Sequence, residues 1–394
     1  MEKHIKQIKG LTLAGGGSRG AFQIGAWKAF REMEISFDYI TGTSIGSINA
    51  ALMACNNYDN AVRMWENVQI EQCLAFTENQ STKTEDLLNI KNASILIKEL
   101  LSKKSLDTEP LRCLLKEYID ESCVRESTIT FGLMTAELPS LFPRPYWIQD
   151  IPKGQLLDYL MASAGLPGLT PVSIDGKRFI DGGAVDNMPI SMIKRLGIRQ
   201  ITAVELNRHT TLKSPLLDNI QLTLVHDNED LGNMFDLTPS VLLKNRTLGY
   251  LNAKKAYGLL AGDLFFFEPV EYHQLINEYS IETIYGLEQA ANAYEMDRTL
   301  LYNAEDFIDA LKEKRKVMQE LYEKSRVDLK IDSKVASIMK GSLKVLNLPS
   351  AMRLSFLIEL YIEAKKNGSH FSIPMKHFQN MEYAADSLRI LDEK

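Results

Sequence analysis

The spacing of apolar and polar positions changes several times along the chain, and each change predicts an element. A short β-prone run, Leu11-Thr12-Leu13, ends in Gly15-Gly16-Gly17-Ser18-Arg19-Gly20. From Ala21 to Met33 the residues Phe22, Ala26, Ala29, Phe30 and Met33 recur at helical spacing. A strand stub, Tyr39-Ile40-Thr41, runs into Gly42-Thr43-Ser44-Ile45-Gly46, and a small-residue helix is expected from Ser47 to Cys55. Strand, glycine turn, helix, strand, sharp turn, helix is the order of an open α/β sheet whose strands mostly run parallel.

Between about 58 and 125 the pattern is helical with polar interruptions such as Glu78 to Lys83, and it reads as an insertion over the sheet. Strand signals return at Ser127 to Ala136 and Tyr146 to Ile148, flanking a Pro-rich loop from Pro139 to Pro145. Further strands are expected at Arg178 to Ile180, Gln200 to Leu206 and Gln221 to His226, and Phe265-Phe266-Phe267 reads as a short buried strand. Beyond about 280 helical periodicity takes over: Phe307, Ile308, Leu311, Met318, Leu321 and Tyr322 share a face, and Leu343 to Leu348 and Leu354 to Ile362 repeat the habit. The expected organisation is an α/β domain over 8–280 followed by a helical region over 281–394.

Composition narrows the class without naming a function. The 394 residues are 45% hydrophobic and 24% charged, which suits an ordered globular protein. A net charge of −6 and the lack of a long basic run argue against nucleic acid as a partner. The first residues, Met1 to Lys9, alternate charge with single apolar positions, which does not suit a secretory signal, and no apolar run reaches the roughly 18 residues that span a bilayer. Cys55, Cys73, Cys113 and Cys123 are scattered without metal-like spacing and are expected to be reduced thiols. A cytoplasmic protein is expected, peripheral at membranes at most.

Three stretches carry candidate chemistry. Gly42-Thr43-Ser44-Ile45-Gly46 satisfies Gly-x-Ser-x-Gly between a strand and a helix, the setting in which a sharp elbow exposes a nucleophilic serine. Taken alone it fits equally a β-to-α turn in which Ser44 caps the following helix. Gly15 to Gly20 satisfies the dinucleotide pattern Gly-x-Gly-x-x-Gly, yet the ribose-binding acid should end the second strand, whereas Asp38 begins it. The same loop offers backbone N–H groups, with Gly16, Gly17 and Ser18 as candidate donors to an oxyanion. Arg19 either fixes that loop by bonding carbonyls or faces an anionic head group.

A serine needs a base. None of His4, His209, His226, His273, His370 and His377 lies in a tightly specified stretch, although His226 and His209 come closest. Asp181, at the end of a strand and followed by Gly182-Gly183, is the better candidate, with a type I′ hairpin as the alternative reading of Asp-Gly-Gly. Asn187 and Pro189 read as the cap and first-turn proline of the next helix. Asp227 to Asp230 lacks the loop spacing of a calcium site and reads as a solvated acidic run, so neither a metal nor a cofactor is expected.

Together, Gly15 to Gly20, Gly42 to Gly46, Ala162-Ser163-Ala164-Gly165-Leu166-Pro167 and Asp181-Gly182-Gly183 followed by Asn187-Met188-Pro189, in that order, resemble the patatin-like phospholipase family. The resemblance covers about residues 10 to 205. It implies a three-layer α/β/α domain in which serine and aspartate act as a dyad without histidine: Ser44 as nucleophile, Asp181 as general base, and Gly15, Gly16, Gly17, Ser18, Arg19 and Gly20 as the oxyanion-hole loop. Gly42, Thr43, Ile45 and Gly46 would form the elbow, and Gly183 stands where the acid motif also takes alanine. The implied substrate is a lipid or fatty-acyl ester, met in a transient membrane contact. The apolar residues of Leu138 to Trp147 make that segment a candidate for the contact, with a packed hairpin loop as the equal alternative reading. Two other readings stay open: a non-catalytic lipid-binding scaffold with the same fold, and, from the glycine pattern, a dinucleotide-binding oxidoreductase.

Overall fold

The computed structural model describes residues 7–69, 75–76, 106–165, 171–208, 218–329, 350–367 and 379–393. The chain divides into two compact units, Met1–Tyr257 and Gly258–Lys394. Leu343 to Leu348, the middle of the 58–125 segment, and Leu166-Pro167 lie outside the described residues.

In the first unit the order is β1 (Lys9–Leu13), α1 (Ala21–Glu32), β2 (Tyr39–Thr43), α2 (Ile45–Ala54), α3 (Tyr58–Asn67), β3 (Ala75–Phe76), β4 (Leu106–Asp107), α4 (Glu109–Tyr118), α5 (Glu121–Glu126), β5 (Thr130–Leu138), β6 (Phe142–Trp147), α6 (Leu156–Ser163), β7 (Val172–Ile174), β8 (Lys177–Asp181), α7 (Ile190–Arg195), β9 (Gln200–Val204), β10 (Gln221–Val225) and α8 (Pro239–Ala256). Eight strands form one sheet in the order β10-β9-β1-β2-β5-β8-β7, with β6 added on β5. The five strands from β10 to β5 are parallel. Strands β6, β7 and β8 pair antiparallel. The inner parallel strands β1, β2 and β9 are buried along nearly their whole length, as strands covered by helices on both faces require. This is the expected three-layer α/β/α architecture.

The helices explain themselves locally. Asn57 caps α3 by accepting the Asn60 N–H at 3.2 Å, and Asp120 caps α5 through the Ser122 and Cys123 amides. Helix α1 is buried on almost every side because α8 crosses it with backbones in contact: a Cβ on Gly25 would sit 1.7 Å from the Arg246 carbonyl oxygen, and one on Gly249 1.8 Å from that of Phe22. Helical spacing revealed only one stripe of α1. The second buried face is visible only once α8 is in place.

Several expectations are corrected. The 58–125 segment is not helical throughout, since β3 and β4 pair as a two-stranded antiparallel ribbon. The Pro-rich stretch is not a loop beyond Leu141: Phe142 to Trp147 is a strand, and its prolines are tolerated because β6 pairs on one side only, with β5. Asp227 is buried and accepts from Asn252 Nδ2 at 2.8 Å, so the acidic run is not wholly solvated. The cysteines are not all isolated: the sulfurs of Cys55 and Cys123 are in contact, with Cα atoms 5.5 Å apart, a spacing a disulfide can bridge. Their 68-residue separation hid the pair from the sequence.

The second unit holds α9 (Pro269–Glu278), α10 (Ile281–Ala293), α11 (Ala304–Leu329), α12 (Ser350–Lys366) and α13 (Gln379–Asp392), with a two-stranded parallel ribbon of β11 (Phe266–Phe267) and β12 (Leu301–Tyr302). Its core gathers Phe265, Phe267, Tyr294, Phe307, Leu311 and Tyr361, among others. Because Leu264, Phe265 and Phe267 pack into this core, the helical unit begins ahead of the position that periodicity alone suggested. No helix among the described residues is long and apolar enough to cross a membrane.

Candidate active site

Ser44 stands at the junction of β2 and α2 with φ 54° and ψ −129°, a left-handed conformation that is strained for any residue with a side chain. The turn survives because its flanks carry no Cβ: one on Gly42 would lie 2.2 Å from the Gly46 carbonyl oxygen, and one on Gly46 2.3 Å from that of Leu13. Three bonds fix the elbow. The Ser44 N–H donates to Ser163 Oγ at 3.0 Å, and Ser163 Oγ–H donates to the Met134 carbonyl at 2.8 Å. Thr43 Oγ1 donates to the Asp186 carbonyl at 2.9 Å. Ile45 opens α2 and lies under Gly20, where a Cβ would meet it at 2.6 Å.

Strand register brings the acid to the serine. On one side of β5, residues Thr130 to Met134 pair with β2 and Thr135 to Leu138 pair with β8, while β6 occupies the other side. Strands β2 and β8 therefore run toward each other along the same edge, and their C-terminal ends meet: Thr43 is opposite Met134, and Asp181 is opposite Thr135. The Asp181 carboxylate lies beside the Ser44 hydroxyl, which favours its ionised form, and accepts a hydrogen bond at 2.6 Å from the Gly183 N–H. The Asp-Gly-Gly run is a single 3₁₀ turn over Gly182–Ala184 that Asp181 caps, not a hairpin. Ser44 is 9% and Asp181 5% exposed. Burial pushes the Asp181 carboxyl up to about 6, against the lowering effect of the Ser44 hydroxyl and the Gly183 N–H.

The glycine loop lies alongside. A Cβ on Gly15 would be 3.1 Å from Ser44 Cβ. Asn187 ties the start of the loop from both sides: its carbonyl accepts the Gly15 N–H at 3.0 Å, and its Nδ2 donates to the Gly15 carbonyl at 3.1 Å. Asn187 is thus a loop anchor and not the helix cap expected; Pro189 takes the N-cap position of α7, and the Asp186 carboxylate accepts from Ser191 Oγ near its first turn. Gly17 has φ 60° and sits against the Met234 carbonyl, where a Cβ would come within 2.2 Å. The Ser18 N–H already donates to that carbonyl at 2.8 Å, which leaves Gly16 and Gly17 as the loop amides that no acceptor takes among the described residues.

Arg19 fixes the loop and does not await a head group. Its Nε donates to the Gly232 carbonyl at 2.8 Å, its Nη1 to Asn207 Oδ1 at 2.9 Å, and its Nη2 lies 3.5 Å from the Asp230 carboxylate. With Ser18 Oγ donating to the Asn233 carbonyl, three successive carbonyls, from 232 to 234, hold Ser18 and Arg19 in place. The other face of the loop rests on a buried polar chain: Gln23 Nε2 donates to the Ala14 carbonyl, Asn49 Nδ2 to both Gln23 Oε1 and the Gly20 carbonyl, and Trp65 Nε1 to Asn49 Oδ1.

The sequence reading did not single out Gln23, Asn49 or the 232–234 segment. A signal existed for the first two, since Gln23 and Asn49 are uncharged polar residues inside otherwise apolar helices. For the segment none existed, because its contribution is backbone. The two described histidines are elsewhere: His273 Nδ1 contacts the Pro269 carbonyl in the second unit, and His226 is not a partner of Ser44. Histidines 4, 209, 370 and 377 lie outside the described residues. Among the described residues no group of three or more His, Cys, Asp or Glu side chains could hold a metal ion.

An α/β domain with a strained serine at a strand-to-helix elbow, a buried aspartate beside it and a glycine loop alongside defines a class of serine-centred α/β sites. Residues 11–193 match the family model for patatin-like phospholipase, and this stretch is a patatin-like domain. Over 200 residues the chain is 26% identical to the patatin-like phospholipase domain-containing protein ZK370.4 of Caenorhabditis elegans. Over 198 residues it is 29% identical to lysophospholipase nte1 of Aspergillus terreus, and over 200 residues 25% identical to neuropathy target esterase sws of Drosophila melanogaster. Each match takes in 50% of this chain but only 12% to 13% of the relative's own length. Among solved structures, VipD from Legionella pneumophila aligns over 97% of this chain and 91% of its own, at 14% identity and a TM-score of 0.42.

Proposed function

We propose that this chain hydrolyses lipid acyl esters through an acyl-enzyme formed on Ser44, with Asp181 as the general base. The observation that carries the reading is the strained Ser44 set beside a buried carboxyl held near 6. A base with that affinity for a proton is ionised at neutral pH, yet stronger than an exposed aspartate. As Ser44 Oγ attacks the ester carbonyl, its proton passes to Asp181. The charge that develops on the carbonyl oxygen meets the amides of Gly16 and Gly17, already aimed by the anchors of the glycine loop. Asp181 then protonates the leaving alcohol, and a water molecule deprotonated by the same carboxylate releases the acid. The relatives named as phospholipase, lysophospholipase and esterase support an acyl ester of a lipid as the substrate class.

The test is labelling by a long-chain fluorophosphonate, read by intact mass and peptide mapping, beside turnover of a lysophospholipid panel. We expect one adduct on Ser44, absent in Ser44→Ala, and kcat/KM that rises with pH through about 6 to a plateau. A folded protein that takes no adduct and turns over no ester would move the weight to a lipid-binding scaffold.

A further inference from the structure

The β5–β6 hairpin is the feature the catalytic reading leaves unused. Its tip carries the adjacent pair Leu141 and Phe142, 45% and 56% exposed, with Pro139, Ser140 and Pro143 exposed around them. Two neighbouring large apolar side chains left in water cost solvation that a monomer in solution does not recover. Cations ring the pair. The Arg144 guanidinium lies over the Phe142 ring at 4.9 Å and bonds Glu137 at 2.5 Å, Lys177 lies 3.9 Å from the same carboxylate, and exposed Arg178 stands opposite Leu138 in the ladder. With Glu137 and with Asp175 in the β7–β8 turn counted against them, the patch remains net positive on a chain whose total is −6. Such a patch orients the molecule toward an anionic surface that its overall charge would otherwise repel.

The register also says where the tip stands. Phe142 is opposite Glu137, two residues along β5 from Thr135, which faces Asp181 on the other side of the strand. Two residues of strand and two inter-strand spacings put Phe142 within roughly 12 Å of Asp181, Cα to Cα. The hairpin rises from the same edge of the sheet, the C-terminal edge of β2, that carries Ser44. Apolar side chains entering the acyl boundary of a bilayer would thus bring the serine to the depth at which a lipid ester lies.

From this geometry we infer that the hairpin tip, with Leu141 and Phe142 as the inserted pair and Arg144, Lys177 and Arg178 as the collar, docks the domain on an anionic lipid surface. The biological purpose rests on the lipid-ester reading above; the docking itself is measured without it. The experiment is cosedimentation of the full chain, as Ser44→Ala so that no lipid is consumed, with vesicles of phosphatidylcholine alone or mixed with phosphatidylglycerol.

We expect partitioning to the mixed vesicles that weakens with salt. It should fall about tenfold or more in Leu141→Asp/Phe142→Asp. It should fall about fivefold for each cation neutralised in Lys177→Gln and Arg178→Gln. All these positions are exposed, and in the background that keeps Ser44 the variants should retain fluorophosphonate labelling and turnover of a monomeric short-chain ester. Equal binding by the apolar double variant, equal binding to phosphatidylcholine alone, or a tip-dependent dimer in place of vesicle binding would each overturn the docking surface. A failure of labelling with intact vesicle binding would instead overturn the hydrolase and leave the surface standing.

Discussion

Each unit of the molecule contains a fully buried carboxylic acid whose proton affinity burial raises, and these two are used in opposite ways. In the first unit Asp181 stands near 6, beside a hydroxyl on a strained backbone. In the second Glu288 stands near 7, fully buried, and accepts from the backbone N–H groups of Asp263, Leu264 and Phe265 at 2.6 to 3.1 Å. Displacement from the ordinary range is thus no mark of catalysis by itself, since structural acids acquire it too. The partner decides. Asp181 faces a group that can give up a proton to a reaction, whereas Glu288 faces three amides that cannot, and so it fastens a turn.

The largest effect that would break this contrast is in turnover. Asp181→Asn keeps an oxygen for the Gly183 N–H but cannot take the Ser44 proton, and ester turnover should fall by a factor of about 10³ or more. Its melting temperature at pH 7.5 should stay level or rise, because the buried charge is gone. Near-normal turnover in this variant would end the dyad reading. Glu288→Ala should do the reverse, leaving three amides of the 263–265 turn unsatisfied at a stability cost of about 3 to 5 kcal/mol in the helical unit. Urea unfolding followed by a probe in that unit would measure it. A loss below about 1 kcal/mol would mean that water replaces the carboxylate freely.

Next in size is the pH dependence, in which the two acids should behave alike. Between the ordinary aspartate range and about 6 for Asp181, and between the ordinary glutamate range and about 7 for Glu288, the folded chain holds a proton that the unfolded chain has released. Stability therefore falls as pH rises through each window, by an amount of order 2 to 3 kcal/mol per group, and the contribution is fully present only below it. Asp181→Asn and Glu288→Gln should each flatten one part of that slope. Over the lower window activity should rise while stability falls, so the base in its working form opposes the fold. A wild-type stability that climbs from pH 4.5 to 7 would contradict both assignments.

How much of this was legible beforehand follows from the range of the forces involved. The elbow and glycine loop are short-range: steric contact between Gly42 and Gly46, or between Gly17 and Met234, leaves glycine at fixed spacing in the sequence. The convergence of Asp181 on Ser44 is long-range and rests on β8 running head-on to β2 along β5, which the sequence conveyed only through the resemblance of four ordered motifs. The second face of α1, the Cys55–Cys123 contact and the carbonyls of 232–234 were illegible for a different reason. Each depends on a partner far along the chain, and the carbonyls have no side-chain identity to read.

Those carbonyls supply the smallest effect and the sharpest form of the contrast. Glu288 holds a turn by accepting from three amides, and Arg19 with Ser18 holds a loop by donating to three carbonyls, so both are fasteners of backbone. Only the second fastens a loop that is proposed to act. Arg19→Lys keeps the charge near Asp230 but loses the planar fork that reaches Gly232 and Asn207 together, and exposed partners limit the stability cost to about 1 kcal/mol. If the loop merely completes the fold, kcat should follow the folded fraction and remain unchanged at 25 °C. If its amides are aimed by this clamp, kcat should drop about five- to tenfold with KM unchanged, since an oxyanion donor set slightly off line is felt in the transition state and not in binding. Steady-state kinetics on a soluble ester, with the folded fraction measured in parallel, separates the two.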